Sequence, residues 1–277
     1  MTVIDAQVHI WGAETPERPW PPEGAALAHR PTPLGKDELL REMDAAGVER
    51  AIIVPPSREG DRNDRAMEAA LLHPERFAVM GKLAIERPES RSLVDTWKRQ
   101  PGMLSVRLTF HRGAYRTWLT GGTANWFWAA AERVDIAVMV FAPGLLPHSP
   151  AVAARHPDLR LVLDHLALSG DSKDAALGPA LKPVLALAQY PNVAVKATSL
   201  PSYVTDAYPS PSLHTHIRHV VEAYGPHRVF WGTDLTRLRG FYRQAVTLFT
   251  EELDYLSDID TTWIMGRGLA EWLGWPL

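Results

Sequence analysis

Apolar positions recur along this chain in two alternating patterns, one typical of strands and the other typical of helices. Eight short runs are rich in β-branched and other apolar residues and have the length of buried strands. These runs cover residues 2–10, 50–56, 76–84, 103–110, 135–143, 159–167, 192–200 and 228–234.

Segments of helical spacing separate these runs. In residues 36–47, Leu39, Leu40 and Met43 share one helix face, and Gly47 is placed to end the helix. A proline repeatedly precedes the next strand, as in "HPERF", "HPDLR", "YPNV" and "GPHRV". Further helices are predicted over residues 63–73, 123–134 and 213–225, and a closing helix within "TTWIMGRGLAEWLGWPL".

Strands that alternate with helices of this length indicate parallel βαβ units. Eight such units without a composition shift predict an α/β fold of the (β/α)8 type, a TIM barrel, as a single domain over residues 1–277. A doubly wound open sheet is the alternative, but no glycine-rich turn follows the first strand.

The first strand, "IDAQVHIWG", has one apolar and one largely polar face. Alternation predicts that Ile4, Ala6, Val8 and Ile10 point outward to helices, while Asp5, Gln7, His9 and Trp11 point to the other side. This pattern fits either a half-exposed edge strand or a strand that lines a chamber inside a closed barrel.

Polar residues on other strands favour the chamber. Charged groups in parallel strands are costly to bury unless they are paired or functional, and barrel active sites lie at the carboxyl ends of the strands. On the fourth strand, polar residues alternate with apolar residues that are expected to point outward, Leu104, Val106, Leu108 and Phe110. The polar set on this and the later strands comprises Arg107, His111, Asp164, His165, Lys196 and Asp234.

Each candidate also has a structural interpretation. Asp234 could cap the following loop, His165 could be a satisfied core histidine, and Arg107 or Lys196 could fill the barrel as an ion pair. The histidines of "HTHIRH", residues 214–219, are expected on the outer surface, because residues i and i+2 of a helix do not face each other.

Composition narrows the class of protein. The chain is 46% hydrophobic and 22% charged, with a formal net charge of −3, and it has no basic block that would bind nucleic acid. It has no cysteine, which excludes disulfides and thiolate metal sites. Neither a signal sequence nor an apolar run of the ~20 residues needed to cross a membrane is visible, so a cytoplasmic protein is expected.

The motifs "DAQVHIW", "LVLDHLA" and "VFWGTDL" together resemble the amidohydrolase superfamily. Within it, the chain is most similar to the lactonase branch that includes 2-pyrone-4,6-dicarboxylate lactonase and sugar-lactone hydrolases. The resemblance spans nearly the whole chain and implies a hydrolase on a TIM barrel.

The resemblance also implies metal ligands, and here the chain departs from the pattern. The first strand of the family normally carries His-x-His, but Gln7 takes the first of these positions and only His9 remains. The fifth-strand histidine is absent, whereas His165 and Asp234 match. An amide oxygen is a poor zinc ligand, so we expect no cofactor, with one divalent metal such as zinc as the alternative.

The resulting hypothesis is an Asp-activated hydrolysis of a lactone or a related cyclic ester or amide. Asp234 takes a proton from water, and His9, His165, Arg107 and Lys196 are candidate donors to the carbonyl oxygen. Gln7, Arg107, Lys196, His111 and Trp11 are expected to bind substrate.

Cations gather where the chamber is expected to open. Arg112 and Arg116 follow the fourth strand, Arg237 and Arg239 follow the eighth, and all four favour an anionic, carboxylate-bearing small molecule. The long loop 12–35 is expected to form a lid that contributes Trp20 and Arg30.

Two alternatives remain: a nonhydrolytic decarboxylase of the same superfamily, and a non-catalytic binding protein on this scaffold. No nucleic-acid or membrane partner is expected, and a homo-oligomer is allowed. The substrate and the oligomeric state are not predicted.

Overall fold

The computed structural model describes residues 1–22, 24, 30–111, 113 and 115–277. It contains one eight-stranded sheet in the order β1 to β8, and each neighbouring pair in this order is parallel. The predicted (β/α)8 barrel is therefore confirmed. The strands are β1 (Ile4–Val8), β2 (Arg50–Ile53), β3 (Phe77–Lys82), β4 (Met103–Thr109), β5 (Ala137–Phe141), β6 (Leu161–Leu163), β7 (Val193–Ala197) and β8 (Val229–Trp231).

Helices connect the strands and surround them. The four helices predicted between strands are present as α1, α2, α5 and α8, and the closing helix is split into α10 and α11 by a π-helical turn over Trp263–Arg267. The α-helices are α1 (Lys36–Ala46), α2 (Asp64–Leu72), α3 (Ser90–Val94), α4 (Tyr115–Thr120), α5 (Asn125–Arg133), α6 (Ser149–Arg155), α7 (Leu177–Ala186), α8 (Pro211–Tyr224), α9 (Tyr242–Thr247), α10 (Asp258–Thr262) and α11 (Gly268–Leu273).

The lower half of the barrel interior is apolar. Residues from the eight strands meet there in one buried cluster, and α11 closes it from below with Leu269, Ala270 and Leu273, followed by Trp275. The polar residues of the strands therefore lie above a dry floor, toward the carboxyl ends. The strand residues of this cluster are Ile4, Ala6, Ile52, Val54, Ala78, Met80, Ala137, Met139, Val162, Ala194 and Phe230, with Leu104 partly buried against it.

The predicted faces of β1 are wrong at its start. Ile4 and Ala6 point into the barrel rather than toward the helices, and the register with β2 shifts between Asp5 and Val8. Because this irregularity breaks the strict alternation, the consecutive side chains of Ala6 and Gln7 both reach the barrel interior. A similar shift between β3 and β4 turns Leu104 inward, whereas Val106, Leu108 and Phe110 face outward as predicted.

Asp5 lies at the junction of β1 and β8 rather than facing the barrel axis. Its carboxylate accepts hydrogen bonds from the backbone N–H of Gln7 and of Thr233, both at 2.9 Å, and from the Tyr242 hydroxyl at 2.8 Å. The Thr233 hydroxyl donates to it as well. Burial raises the pKa of Asp5, and these hydrogen bonds oppose the rise. Asp5 thus helps to join the last strand to the first.

No helix in the described part of the chain is long and apolar enough to span a membrane.

Candidate active site

A cavity of about 1090 Å³ opens at the carboxyl ends of the strands. His9, Arg107, His111, His165 and Asp234 line it, so five of the eight predicted site residues come together there. Gln7 and Lys196 are fully buried: Gln7 contacts the lining residue His165, and Lys196 contacts Gln7, whereas Trp11 is buried in the loop that follows β1. The remaining lining residues are Pro56, Ser57, Arg116, Phe141, Pro143, Gly144, Leu168, Ser169, Gly170, Lys173, Ser199, Ser202, Tyr203, Thr236, Arg237 and Leu238.

Asp234 follows β8 and has a left-handed backbone conformation, with φ of 53°. Its backbone N–H donates to the Gln7 carbonyl oxygen at 2.9 Å, which anchors it across the β8–β1 junction. The Ser199 hydroxyl donates to Oδ2 at 3.3 Å, and Oδ1 lies 3.1 Å from Nε2 of His9. The carboxylate is therefore held from two sides while it still lines the cavity.

His9 is oriented by a backbone carbonyl. Its Nδ1 lies 2.5 Å from the carbonyl oxygen of Val54, which can only accept, so Nδ1 carries a hydrogen. Nε2 is then the atom that faces Asp234. Since a carboxylate oxygen also only accepts, a hydrogen bond between the two side chains requires one proton between them. This pair can pass a proton to a group in the cavity.

A chain of buried hydrogen bonds fixes the state of His165. The Lys196 ammonium has only donors, and its Nζ donates to Oε1 of Gln7 at 3.0 Å, which leaves Nε2 of Gln7 to donate to Nε2 of His165 at 3.0 Å. His165 Nδ1 therefore carries the hydrogen and donates to the Thr198 hydroxyl at 2.7 Å. Burial lowers the pKa of His165 to about 4, and the charges of Asp234 and Asp164 oppose this, so the ring is neutral near pH 7.

Asp164 holds two cations beneath the cavity. Its carboxylate lies 2.7 Å from Nε of Arg107 and 2.9 Å from Nζ of Lys196. Burial alone would raise the pKa of Asp164, but the charges of Lys196 and Arg107 hold it below its ordinary value. Burial lowers the pKa of Lys196, and Asp164 opposes this shift. Arg107 and Lys196 therefore form a buried ion pair with Asp164, and Lys196 also positions Gln7.

The donor set does not fit the zinc site that the resemblance implies. Nε2 of His165, which would have to bind the metal, accepts a hydrogen bond from the amide of Gln7. Of the expected ligand atoms only His9 Nε2 and the Asp234 carboxylate remain, and zinc requires at least three protein ligands. Among the described residues no group of three or more His, Asp or Glu side chains is suited to hold a metal ion.

The upper wall of the cavity is aromatic and cationic. Phe141 packs edge-on against His111, with ring centres 4.9 Å apart, and against His165 at 5.3 Å. Arg116 of α4, Lys173 and Arg237 line the cavity from the segments that follow β4, β6 and β8. Arg112 lies outside the described residues, and Arg239 donates to the backbone carbonyl oxygens of Val204 and Thr205 rather than lining the cavity.

The loop after β1 contacts a group that sequence reasoning missed, Arg58 in the loop after β2. Its guanidinium carbon lies over the rings of Trp11 and Trp20, at 4.9 and 4.7 Å from the ring centres. The predicted lid residue Arg30 instead pairs with Glu42 at 2.8 Å. The only sequence signal for Arg58 was a charged residue in "PPSREG", directly after a buried strand.

Buried Glu59 ties these loops together. It accepts hydrogen bonds from the backbone N–H of Gly12 at 3.0 Å and from Nη2 of Arg18 at 2.7 Å. Arg18 also binds Asp64 at the start of α2. The start of the β1 loop is thus fastened to the β2 loop by charged hydrogen bonds.

Comparisons with known proteins agree with this architecture. The family model described as Amidohydrolase matches residues 4–275. L-fucono-1,5-lactonase of Burkholderia ambifaria is 27% identical to this chain over 251 residues, which are 86% of this chain and 82% of that protein.

Two solved structures share the fold over the whole chain. An amidohydrolase from Burkholderia multivorans with bound zinc has a TM-score of 0.81 at 22% identity and covers 100% of both chains. A structure named as a 2-pyrone-4,6-dicarboxylic acid hydrolase, from Pseudomonas putida, has a TM-score of 0.76 at 19% identity and covers 100% of this chain and 98% of that one. At these identities the likeness is one of fold.

Proposed function

Because this chain belongs to the amidohydrolase family and is a hydrolase, as its motifs predicted, we propose that it opens a carboxylate-bearing lactone by means of a water molecule activated by Asp234. The observation that carries the proposal is the contact between Asp234 and His9, 3.1 Å apart at the cavity wall. The 27% identity to an L-fucono-1,5-lactonase supports the choice of a lactone.

In the proposed reaction, Asp234 accepts a proton from water while the water oxygen bonds to the lactone carbonyl carbon. The carbonyl oxygen gains negative charge, and fixed hydrogen-bond donors must stabilise it. The ring C–O bond then breaks, and Asp234 returns the proton to the leaving oxygen. The products are a carboxylate and a hydroxyl on one open chain.

The hydrogen-bond network narrows the set of donors for the carbonyl oxygen. Nε2 of His165 accepts from Gln7 and therefore does not donate, and Lys196 does not line the cavity. Both ring nitrogens of His9 already face acceptors, the Val54 carbonyl oxygen and the Asp234 carboxylate, so Arg107 remains as the donor to the carbonyl oxygen. In this proposal Gln7, Lys196 and His165 position the site instead of contacting the developing charge.

We further propose that the reaction needs no metal ion. Nε2 of His165 is occupied by an amide hydrogen, which leaves too few ligands for zinc. Arg116, Lys173 and Arg237 line the cavity with positive charge, which supports a substrate that carries a carboxylate.

The test is a panel of carboxylated lactones with neutral lactones, esters and amides as comparators. Hydrolysis of a lactone releases one proton per turnover, which a pH-stat measures, while carbon dioxide release would identify the decarboxylase alternative. We expect proton release with the lactones, at a higher kcat/KM for the carboxylated lactones than for the neutral ones. If every compound is inert and one binds tightly, the binding-protein alternative is correct.

Whether the reaction needs a metal ion is tested in a separate experiment. Metal content and turnover are measured before and after treatment with a chelator. Unchanged turnover is the expected result, whereas loss of turnover that added zinc restores would refute the metal-free part of the proposal.

A further inference from the structure

Arg58 is an unusually buried cation in the loop that leaves β2. The residue is only 2% exposed, and its guanidinium packs over the rings of both Trp11 and Trp20. Cation–π stacking uses the faces of the planar group and leaves its N–H edge free to donate. The tryptophans therefore hold Arg58 in place without satisfying its donors.

One nitrogen at that edge lacks a partner in the part of the chain that the structure describes. Within the described residues, Nη2 of Arg58 is buried and has no hydrogen-bond partner. The neighbouring carboxylate of Glu59 is bound by Arg18 and by the backbone of Gly12. An unsatisfied charged donor in a buried site is costly, and a ligand that accepts from it would recover that cost.

Arg58 lies beside the cavity. Pro56 and Ser57, the two residues before it, line the cavity, and so does Arg237 from the β8 loop. Burial lowers the pKa of Arg58, the charge of Glu59 opposes this shift, and the charge of Arg237 adds to it, which reflects the proximity of the two guanidinium groups. Arg237 lies at the cavity wall and Arg58 directly behind it, and an anion next to both guanidinium groups would reduce the repulsion between them.

We propose that Arg58 and Arg237 form a subsite for the substrate's carboxylate, at a distance from the lactone carbonyl, and that Arg58 determines the preference for acidic over neutral substrates. The inference rests on the proposed function and adds a residue outside the predicted set. Trp11, predicted to contact substrate, instead acts by holding the guanidinium plane so that its edge is presented.

The first test is Arg58→Met, which keeps an unbranched side chain between the tryptophans and removes the donors. For a carboxylated lactone, KM should rise about ten- to hundredfold, the loss expected for a bidentate charged hydrogen bond. For the matched neutral lactone, KM should stay within about twofold. Arg91→Met is the matched control, because Arg91 also stacks on a tryptophan, Trp126 at 4.5 Å, away from the cavity.

Unfolding midpoints of both variants check that the loop is intact. An equal rise of KM for acidic and neutral lactones in Arg58→Met would show that Arg58 only supports the loop, and it would overturn the inference. An unchanged KM for both substrates would overturn it as well.

A binding experiment keeps this inference separate from the proposed function. Glucarate and gluconate have the same carbon backbone, but glucarate carries one more carboxylate. Their binding is measured by calorimetry without any turnover. Wild type should bind glucarate at least tenfold more tightly than gluconate, and Arg58→Met should lose this difference. Equal binding of glucarate and gluconate by wild type would overturn the carboxylate subsite. If wild type prefers glucarate but hydrolyses no lactone, only the proposed hydrolase activity is overturned.

Discussion

The side-chain amide of Gln7 donates to Nε2 of His165 across 3.0 Å, and this contact determines what the rest of the site can do. It occupies the ring nitrogen that would otherwise bind a metal or donate to substrate. The amide cannot turn around, because Lys196 requires its oxygen on the other side. One glutamine thus links a buried ion pair to a histidine at the cavity wall.

Replacing Gln7 with histidine should create a zinc site. In Gln7→His the amide that occupies His165 is gone, and imidazoles at positions 7, 9 and 165 can join the carboxylate of Asp234. We expect about one equivalent of zinc in the purified variant, measured by plasma mass spectrometry, and far less in wild type. The matched control is Gln189→His on the exposed surface. Equal zinc content in wild type would show that the amide does not exclude the metal.

Asp234→Asn should remove turnover and leave the fold intact. Asparagine cannot accept the proton of the attacking water, and loss of a general base typically lowers kcat by about 10²- to 10⁴-fold. Initial rates on the best lactone and an unchanged unfolding midpoint check this. Asp37→Asn, on the exposed start of α1, is the control. Near-normal turnover in Asp234→Asn would take this residue out of the mechanism.

Lys196→Met should destabilise the protein strongly. The substitution leaves the buried carboxylate of Asp164 with one cation instead of two and removes the donor to Gln7. Breaking a buried ion pair typically costs about 3–5 kcal/mol of the free energy of unfolding. Urea unfolding measures the loss, with the exposed Lys182→Met as control. A change below about 1 kcal/mol would mean that Lys196 contributes little to holding the site together.

Stability should fall below neutral pH because of His165. Its pKa is lowered to about 4 in the folded chain from an ordinary value of 6.5, so the unfolded chain binds more protons between these values. The contribution of the neutral ring is fully present above pH 6.5 and is lost as the pH falls toward 4. The shift corresponds to about 3 kcal/mol.

Urea unfolding of wild type and His165→Gln between pH 4 and 7 isolates this contribution. The free energy of unfolding of wild type should fall more steeply than that of the variant as the pH is lowered. Parallel curves for the two proteins would contradict the assignment of the pH dependence to His165.

The periodicity of the sequence was sufficient to predict the barrel, because eight apolar runs and their helices carry strong, local signals. It failed where the chain departs from regular geometry. Strict alternation placed Asp5 on the barrel axis and Ile4 outside, whereas the register shift after Asp5 reverses this. A bulge of this kind depends on neighbouring strands and leaves no local pattern.

The candidate site was predicted as a set of residues but not as a network. His9, His165 and Asp234 do meet at one cavity, since strand ends of a barrel converge. The direction of each hydrogen bond follows only from three-dimensional contacts, as with Lys196 and Gln7. Arg58 was missed because its importance comes from two tryptophans that are distant in the chain or lie in a long loop.

The apolar floor of the barrel has a consequence for biosynthesis. The interior cluster includes Ile4 and Ala6 of β1 and is covered by Leu269, Leu273 and Trp275, which are synthesised about 260 residues later. Until residues 268–275 emerge, the lower opening exposes apolar side chains to water. Nascent chains stalled before residue 268 should therefore be recognised by chaperones that bind hydrophobic surface, and release of α11 from the ribosome should end that association.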